Sequence, residues 1–278
     1  MRLPSFARVL VLLVIAAGAP VLAASQVPAT PEEFARRQYE SGLEFMKSGR
    51  YAEALKDFET VVDNYPASTV ADDALLAIAR HQLEVQRNAV AAQATAESVL
   101  RKFPASDAVP MAYVVAGQAM VAKGLTQANV DAALASFDRV QRLFPGSEAV
   151  APALVAGGET LRLLGRCPES LDRFDQVTLT YPRSTWASAA RVSSAACFAT
   201  SGRPLDAMEE LQRVIVAAPN SREAQQARIL STIIYRLYVR PPAQSPYRFS
   251  GNGIAGPTGR LKGRGFRWRM LLSKDSPK

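Results

Sequence analysis

The apolar positions of this chain keep a fixed distance from five prolines, Pro66, Pro104, Pro145, Pro182 and Pro219. Five residues before each stands a valine: Val61, Val99, Val140, Val177 and Val214. Eight before stand Phe58, Ala96, Phe137, Phe174 and Leu211; twelve before stand Ala54, Ala92, Ala133, Ser170 and Ala207. Steps of three and four put these residues on one stripe of an amphipathic helix, with the small residue where a neighbouring helix comes closest. Proline then stops the helix, because it disfavours helical backbone in the residue before it and has no amide hydrogen for the ladder. Two residues after each proline comes a serine: Ser68, Ser106, Ser147, Ser184 and Ser221. Its hydroxyl is placed to cap the next helix.

The prolines lie 38, 41, 37 and 37 residues apart, and a period of that size marks a repeat architecture. The first helix has a defined start: Thr30 caps, Pro31 suits the first helical position and Glu33 reaches back to the cap. It runs from Phe34 through Met46 and stops near Gly49, and its partner starts at Tyr51. Repeat two replaces the turn glycine by Arg87-Asn88, and repeat three carries an insertion, Gly124 to Asn129, between its helices. Repeats four and five turn at Gly165-Arg166 and Gly202-Arg203. After Ser221 one unpaired helix bears Ile229, Leu230, Ile233, Ile234, Leu237 and Tyr238, apolar enough to expect further packing on it. The fold class expected is all-α: an α-solenoid of five helix-turn-helix repeats plus a closing helix, over residues 31–240.

Small residues at helix crossings, an aromatic in the second helix and a closing proline resemble the tetratricopeptide repeat. Gly42 to Pro66, Gly158 to Pro182 and Ala195 to Pro219 each span 24 residues, as in that family. The links between repeats run about three residues beyond its 34-residue period. The tyrosine-proline-x-serine link is similar to that of exported bacterial envelope members, such as those of outer-membrane assembly or the Tol-Pal system. The resemblance implies a periplasmic scaffold for a protein or peptide partner, with no cofactor and no catalysis of its own. It also implies a concave groove lined by first helices: Arg36, Tyr39, Leu43, Arg80, Leu83, Gln118, Glu159 and Arg162, with an apolar floor of Val192, Ala196 and Ala199 in repeat five.

Charge changes the picture at both ends. The formal net charge is +8. Residues 241–278, a Gly/Pro-rich tail without helical period, hold eight Lys/Arg against Asp275 alone. The body, by contrast, is slightly acidic, so a nucleic-acid partner loses its support. The tail interleaves Arg264, Phe266, Arg267, Trp268 and Arg269. Such a run can touch anionic membrane or polymer, which sets up a rival reading with the array as spacer. Its composition cannot bury a core, so disorder is expected there. Residues 1–24 read as a cleaved export signal: Arg2 and Arg8, the apolar run Val9–Ala17, a break at Gly18-Ala19-Pro20, and Ala23-Ala24 for cleavage. No cysteine follows that run, so a lipid attachment point is not expected and the mature chain is placed in a periplasm or outside the cell.

Candidate chemistry is sparse. The sole histidine, His81, lies inside a helix, and the chain has no Gly-rich phosphate loop, paired His–Glu motif or metal-spaced cysteines. An enzyme is therefore not expected. Cys167 opens one helix and Cys197 lies late in the next, each fifteen residues from Pro182, so antiparallel helices bring them to the same end. Two readings fit, a disulfide between repeats four and five or two small buried thiols, and an oxidising compartment favours the first.

Overall fold

The structure, a computed structural model, describes residues 30–239. Eleven α-helices form five pairs and one closing helix among the described residues. They are α1 (Pro31–Lys47) with α2 (Tyr51–Asn64), α3 (Ala71–Glu84) with α4 (Ala89–Lys102), and α5 (Val109–Lys123) with α6 (Gln127–Leu143). Then come α7 (Val150–Leu163) with α8 (Cys167–Thr180), α9 (Thr185–Thr200) with α10 (Pro204–Ala217), and α11 (Arg222–Ile234), which ends in a π-helical turn, Tyr235–Val239. The export signal and the basic tail expected from sequence lie outside the described residues.

The start of α1 is the reciprocal cap that its sequence encodes: the Thr30 hydroxyl accepts the Glu33 amide at 3.2 Å, and the Thr30 amide donates to the Glu33 carboxylate at 2.9 Å. Within each pair the helices cross where the first one is narrow. A Cβ on Gly42 would stand 2.6 Å from the Phe58 ring, and one on Gly158 would stand 2.5 Å from Phe174. Gly117 meets Phe137 in the same way in repeat three. Repeats two and five use smaller pairs instead, Ala79 with Ala96 and Ala195 with Leu211, all of them buried. Glycine therefore appears where the facing side chain is a phenylalanine, and alanine where it is not. The combined volume at the crossing is what close packing constrains.

Three details depart from the sequence reading. The turn of repeat two is one residue longer than that of repeat one, so its crossing residue, Ala79, stands 25 rather than 24 residues before Pro104. Arg87 supplies the left-handed step there (φ 56°) that Gly49, Gly165 and Gly202 supply elsewhere. The insertion of repeat three mostly lengthens a helix. Only Gly124, Leu125 and Thr126 connect α5 to α6; Gln127, Ala128 and Asn129 build the first turn of α6, which Thr126 caps.

The third departure concerns the serines. Ser184 and Ser221 do cap, accepting the amides of Ala187 and Ala224 at 3.1 and 3.0 Å. Ser68, Ser106 and Ser147 do not cap a helix. A further turn intervenes, in which the amides of Ala71, Val109 and Val150 donate to the serine carbonyls. The free amides of α3, α5 and α7 consequently begin three residues on, beyond reach of the hydroxyl. Ser106 and Ser147 hold that turn through Ala108 and Ala149, while the buried Ser68 hydroxyl has no partner.

Buried side chains form a strip along the array rather than one ball, as stacking of pairs requires. Clusters centre in turn on Phe58, on Ala79 with Ala96, on Phe137 with Phe174, and on Leu211. α5 and α7 sit in the middle of the strip. Both are mostly apolar, and in α7 each residue from Val150 to Gly158 is buried.

Candidate functional site: the inner face of the array

Successive first helices touch, α3 with α5, α5 with α7, α7 with α9 and α9 with α11, whereas successive second helices make no comparable contact. The first helices therefore form the inner side of the curve and the second helices the outer. Counting from each crossing residue gives the inner face its rows. Three residues before the crossing lie Tyr39, Leu76, Val114, Val155 and Val192. In α11, where Thr232 is the equivalent of the crossing residue, the row continues with Ile229. One residue after the crossing lie Leu43, Arg80, Gln118, Glu159, Ala196 and Ile233, and one turn later Leu83 and Arg162 fall into a common row.

The sequence-predicted residues thus fall on one face, but the floor between them is not evenly open. Leu76, Val114 and Val155 are buried against neighbouring first helices, while Tyr39 and Val192 are half-buried and Ile229 is 63% exposed. The floor row is accessible at its two ends and sealed in the middle, while Arg80, Gln118 and Glu159 beside it remain exposed or half-buried. Each predicted cation also already has a carboxylate on its own helix. Arg36 pairs with Glu32 at 3.4 Å, Arg80 with Glu84 at 3.7 Å and Arg162 with Glu159 at 2.7 Å.

The N-terminal end of the face is polar. Burial pushes the Tyr39 phenol up to about 12, helped by the negative fields of Asp73 and Asp72 and opposed by Arg80. Asp73 is raised too, first by desolvation and then by Asp72 and Asp107. Glu32 is lowered because it accepts the Thr69 hydroxyl and, at 3.1 Å, the Thr69 amide, which ties α1 to the first link. His81 stands apart from the inner rows. It is buried against Tyr51, ring centroids 5.1 Å apart, its Nδ1 has no partner, and desolvation lowers its pKa.

The outer side carries two clefts that the sequence reading missed, on either side of α6. One, of about 370 Å³, has Tyr113 and Met120 of α5 as floor and Leu100 and Ser136 in its walls, and Arg139 lies over the Tyr113 ring at 5.3 Å. The other, of about 340 Å³, is floored by Leu154 and Leu161 and crossed by Arg173, which reaches from α8 to Asp138 on α6 at 2.8 Å. The Arg173 guanidinium lies over Gly157, where a Cβ would meet it at 2.7 Å. The adjacent glycines Gly157 and Gly158 were the available signal: one admits Arg173 and the other Phe174. None of the eight predicted groove residues lines either cleft.

Cys167 and Cys197 are bridged, with their Cα atoms 5.4 Å apart, at the common end of α8 and α9. Among the described residues no group of His, Cys, Asp and Glu could hold a metal ion, and no helix is long and apolar enough to cross a membrane.

Paired helices crossing at a small residue, stacked with first helices inward and closed by a single helix, define a tetratricopeptide-type solenoid, and this chain has that fold. The family model YfiO, described as an outer membrane lipoprotein, matches residues 31–155, the first three repeats and part of α7. A thermophilic tetratricopeptide protein of Thermus thermophilus is similar over 73% of this chain and 100% of its own, with TM-score 0.59 and 20% identity. PilW, a type IV pilus biogenesis factor, is similar over 73% of this chain and 93% of its own, with TM-score 0.54 and 15% identity. A tetratricopeptide protein of Parabacteroides merdae ATCC 43184 gives TM-score 0.51 at 14% identity, over 73% of this chain and 74% of its own. Comparison with curated proteins finds no match.

Proposed function

We propose that this chain is an envelope scaffold that binds a protein or peptide partner on the inner face of its array and performs no catalysis. The observation that carries this reading is the alignment of Leu43, Arg80, Gln118 and Glu159 in one row of first helices, with the accessible ends of the floor row beside it. The match of the first three repeats to an outer membrane lipoprotein family supports an envelope setting, and the expected export signal favours the periplasm.

A second reading rests on the eight Lys/Arg of residues 241–278, which would hold the chain on an anionic membrane or polymer while the array acts as spacer. Deleting residues 241–278 separates the two. The scaffold reading expects the shortened chain to capture envelope proteins at moderate salt, and expects Arg80→Glu with Glu159→Arg to reduce that capture. Loss of all capture on deletion, with none on inner-row substitution, would sink it.

A further inference from the structure

The apolar residues of α11 were expected to carry further packing, yet the face that a following helix would meet is polar. At the positions where α7 offers Ala151, Leu154 and Gly158 to its partner, α11 offers Gln225, Arg228 and Thr232. That end has the polar outer face of a terminal repeat. Its inner-face apolar residues point elsewhere. The exposed Ile229 continues the floor row of Val192, and the half-buried Ile233 continues the row of Ala196. α9 and α11 are in contact, so these four side chains make one apolar floor at the C-terminal end of the inner face, where the buried row emerges.

Charge selects what covers it. From Arg222 to Val239 the chain holds three arginines, Arg222, Arg228 and Arg236, against the single Glu223. Arg228 belongs to the polar end and donates to the Pro219 carbonyl at 2.7 Å, whereas Arg236 has no carboxylate within ion-pair distance among the described residues, unlike Arg36, Arg80 and Arg162. Arg236 stands three residues beyond Ile233, in the π-helical turn that ends α11. A second copy of the chain would bring arginine against arginine. A flat bilayer would meet the convex and end surfaces of the array before a floor recessed between two inner helices.

We infer that Val192, Ala196, Ile229 and Ile233 form the docking floor for an acidic segment of a partner protein, two apolar side chains seated on the isoleucines and carboxylates facing Arg236. This rests on the inner-face reading above and names the partner chemistry for its C-terminal end. The test uses the full chain and three fluorescent synthetic peptides: a leucine/glutamate amphipathic 14-mer, the same peptide with lysine for glutamate, and the same with serine for leucine. Only the leucine/glutamate peptide is expected to bind measurably by anisotropy. Its affinity should fall roughly tenfold or more in Ile229→Asp, as loss of a buried anchor does, and the charge preference should weaken in Arg236→Glu. Ile229 is 63% exposed, so an unchanged melting curve will show that Ile229→Asp still folds. Equal binding of the lysine peptide, or binding indifferent to Ile229→Asp, overturns the inference. If affinity falls in Arg80→Glu and not in Ile229→Asp, the inner-face reading stands and this location for it fails. If no peptide binds and phosphatidylglycerol vesicles retain the wild-type chain, both fail together.

Discussion

Gly158 and Phe174 show how far single side chains are tied to each other. A methyl group on Gly158 would fall 2.5 Å from the ring, so Gly158→Ala must displace either Phe174 or the helix and should cost about 1–3 kcal/mol. Repeat five solves the same crossing with alanine and leucine. Adding Phe174→Leu to Gly158→Ala should therefore recover part of the loss, and a double-mutant cycle by urea denaturation should read a coupling on the order of 1 kcal/mol or more. Simple additivity would show that the crossings do not exchange volume. His81 gives a second test, in pH. Its folded pKa is depressed by burial, so below the unfolded value of about 6.5 the unfolded chain binds the proton and the folded one resists it. Stability from this group is present above that value and is lost as pH falls through it. It is the only histidine in the chain. Melting temperatures of wild type and His81→Phe should therefore diverge between neutral pH and the acid side of pH 6, with the variant losing less; parallel curves would refute this.

Helix boundaries divide into what spacing reveals and what it hides. The five valines and the Gly–Phe and Ala–Leu pairs were legible because burial imposes a period that local chemistry does not disturb. The Thr30 cap was legible, and the serine caps only where the helix follows its serine directly, at Ser184 and Ser221. At Ser68, Ser106 and Ser147 the same serine-after-proline phrase begins a turn instead, and nothing in the phrase announces the extra residues. The outer clefts were missed for a related reason: Gly157 and Gly158 hint at a bulky neighbour, but Arg173 and Asp138 lie on different repeats, and only the stacking brings them together. Two expectations follow from the caps. Ser184→Ala and Ser221→Ala should each cost about 1 kcal/mol, whereas Ser68→Ala, which removes a buried hydroxyl with no partner, should stay within roughly 0.5 kcal/mol of wild type or gain. Arg87→Gly should stabilise by about 0.5–1 kcal/mol, since φ of 56° burdens any side chain but glycine's hydrogen. Chemical denaturation of the four variants ranks them, and a Ser68→Ala loss equal to that of Ser184→Ala would contradict the assignment of the turns.

Because each pair touches mainly its neighbours, the array loses structure in blocks rather than all at once. The bridge between Cys167 and Cys197 encloses a stretch of 30 residues that includes the whole link from α8 to α9. In the chain-entropy account, closing a loop of that length restrains the unfolded chain by about 3–4 kcal/mol. That restraint falls on repeats four and five alone, and α9 with α11 carries the docking floor. Oxidised and dithiothreitol-reduced chains, and the Cys167→Ser/Cys197→Ser variant, should therefore differ in amide hydrogen exchange from α8 onward and agree from α1 to α6. The leucine/glutamate peptide should lose affinity in the reduced chain without any change in the N-terminal repeats. The coupling is directional: the bridge lies beyond the middle of the floor row, where Val114 of α5 and Val155 of α7 are buried and separate one open end from the other. Peptide mapping under non-reducing conditions that found two free thiols would remove the restraint. Exchange that rose evenly over all eleven helices on reduction would show instead that the array unfolds as one cooperative body.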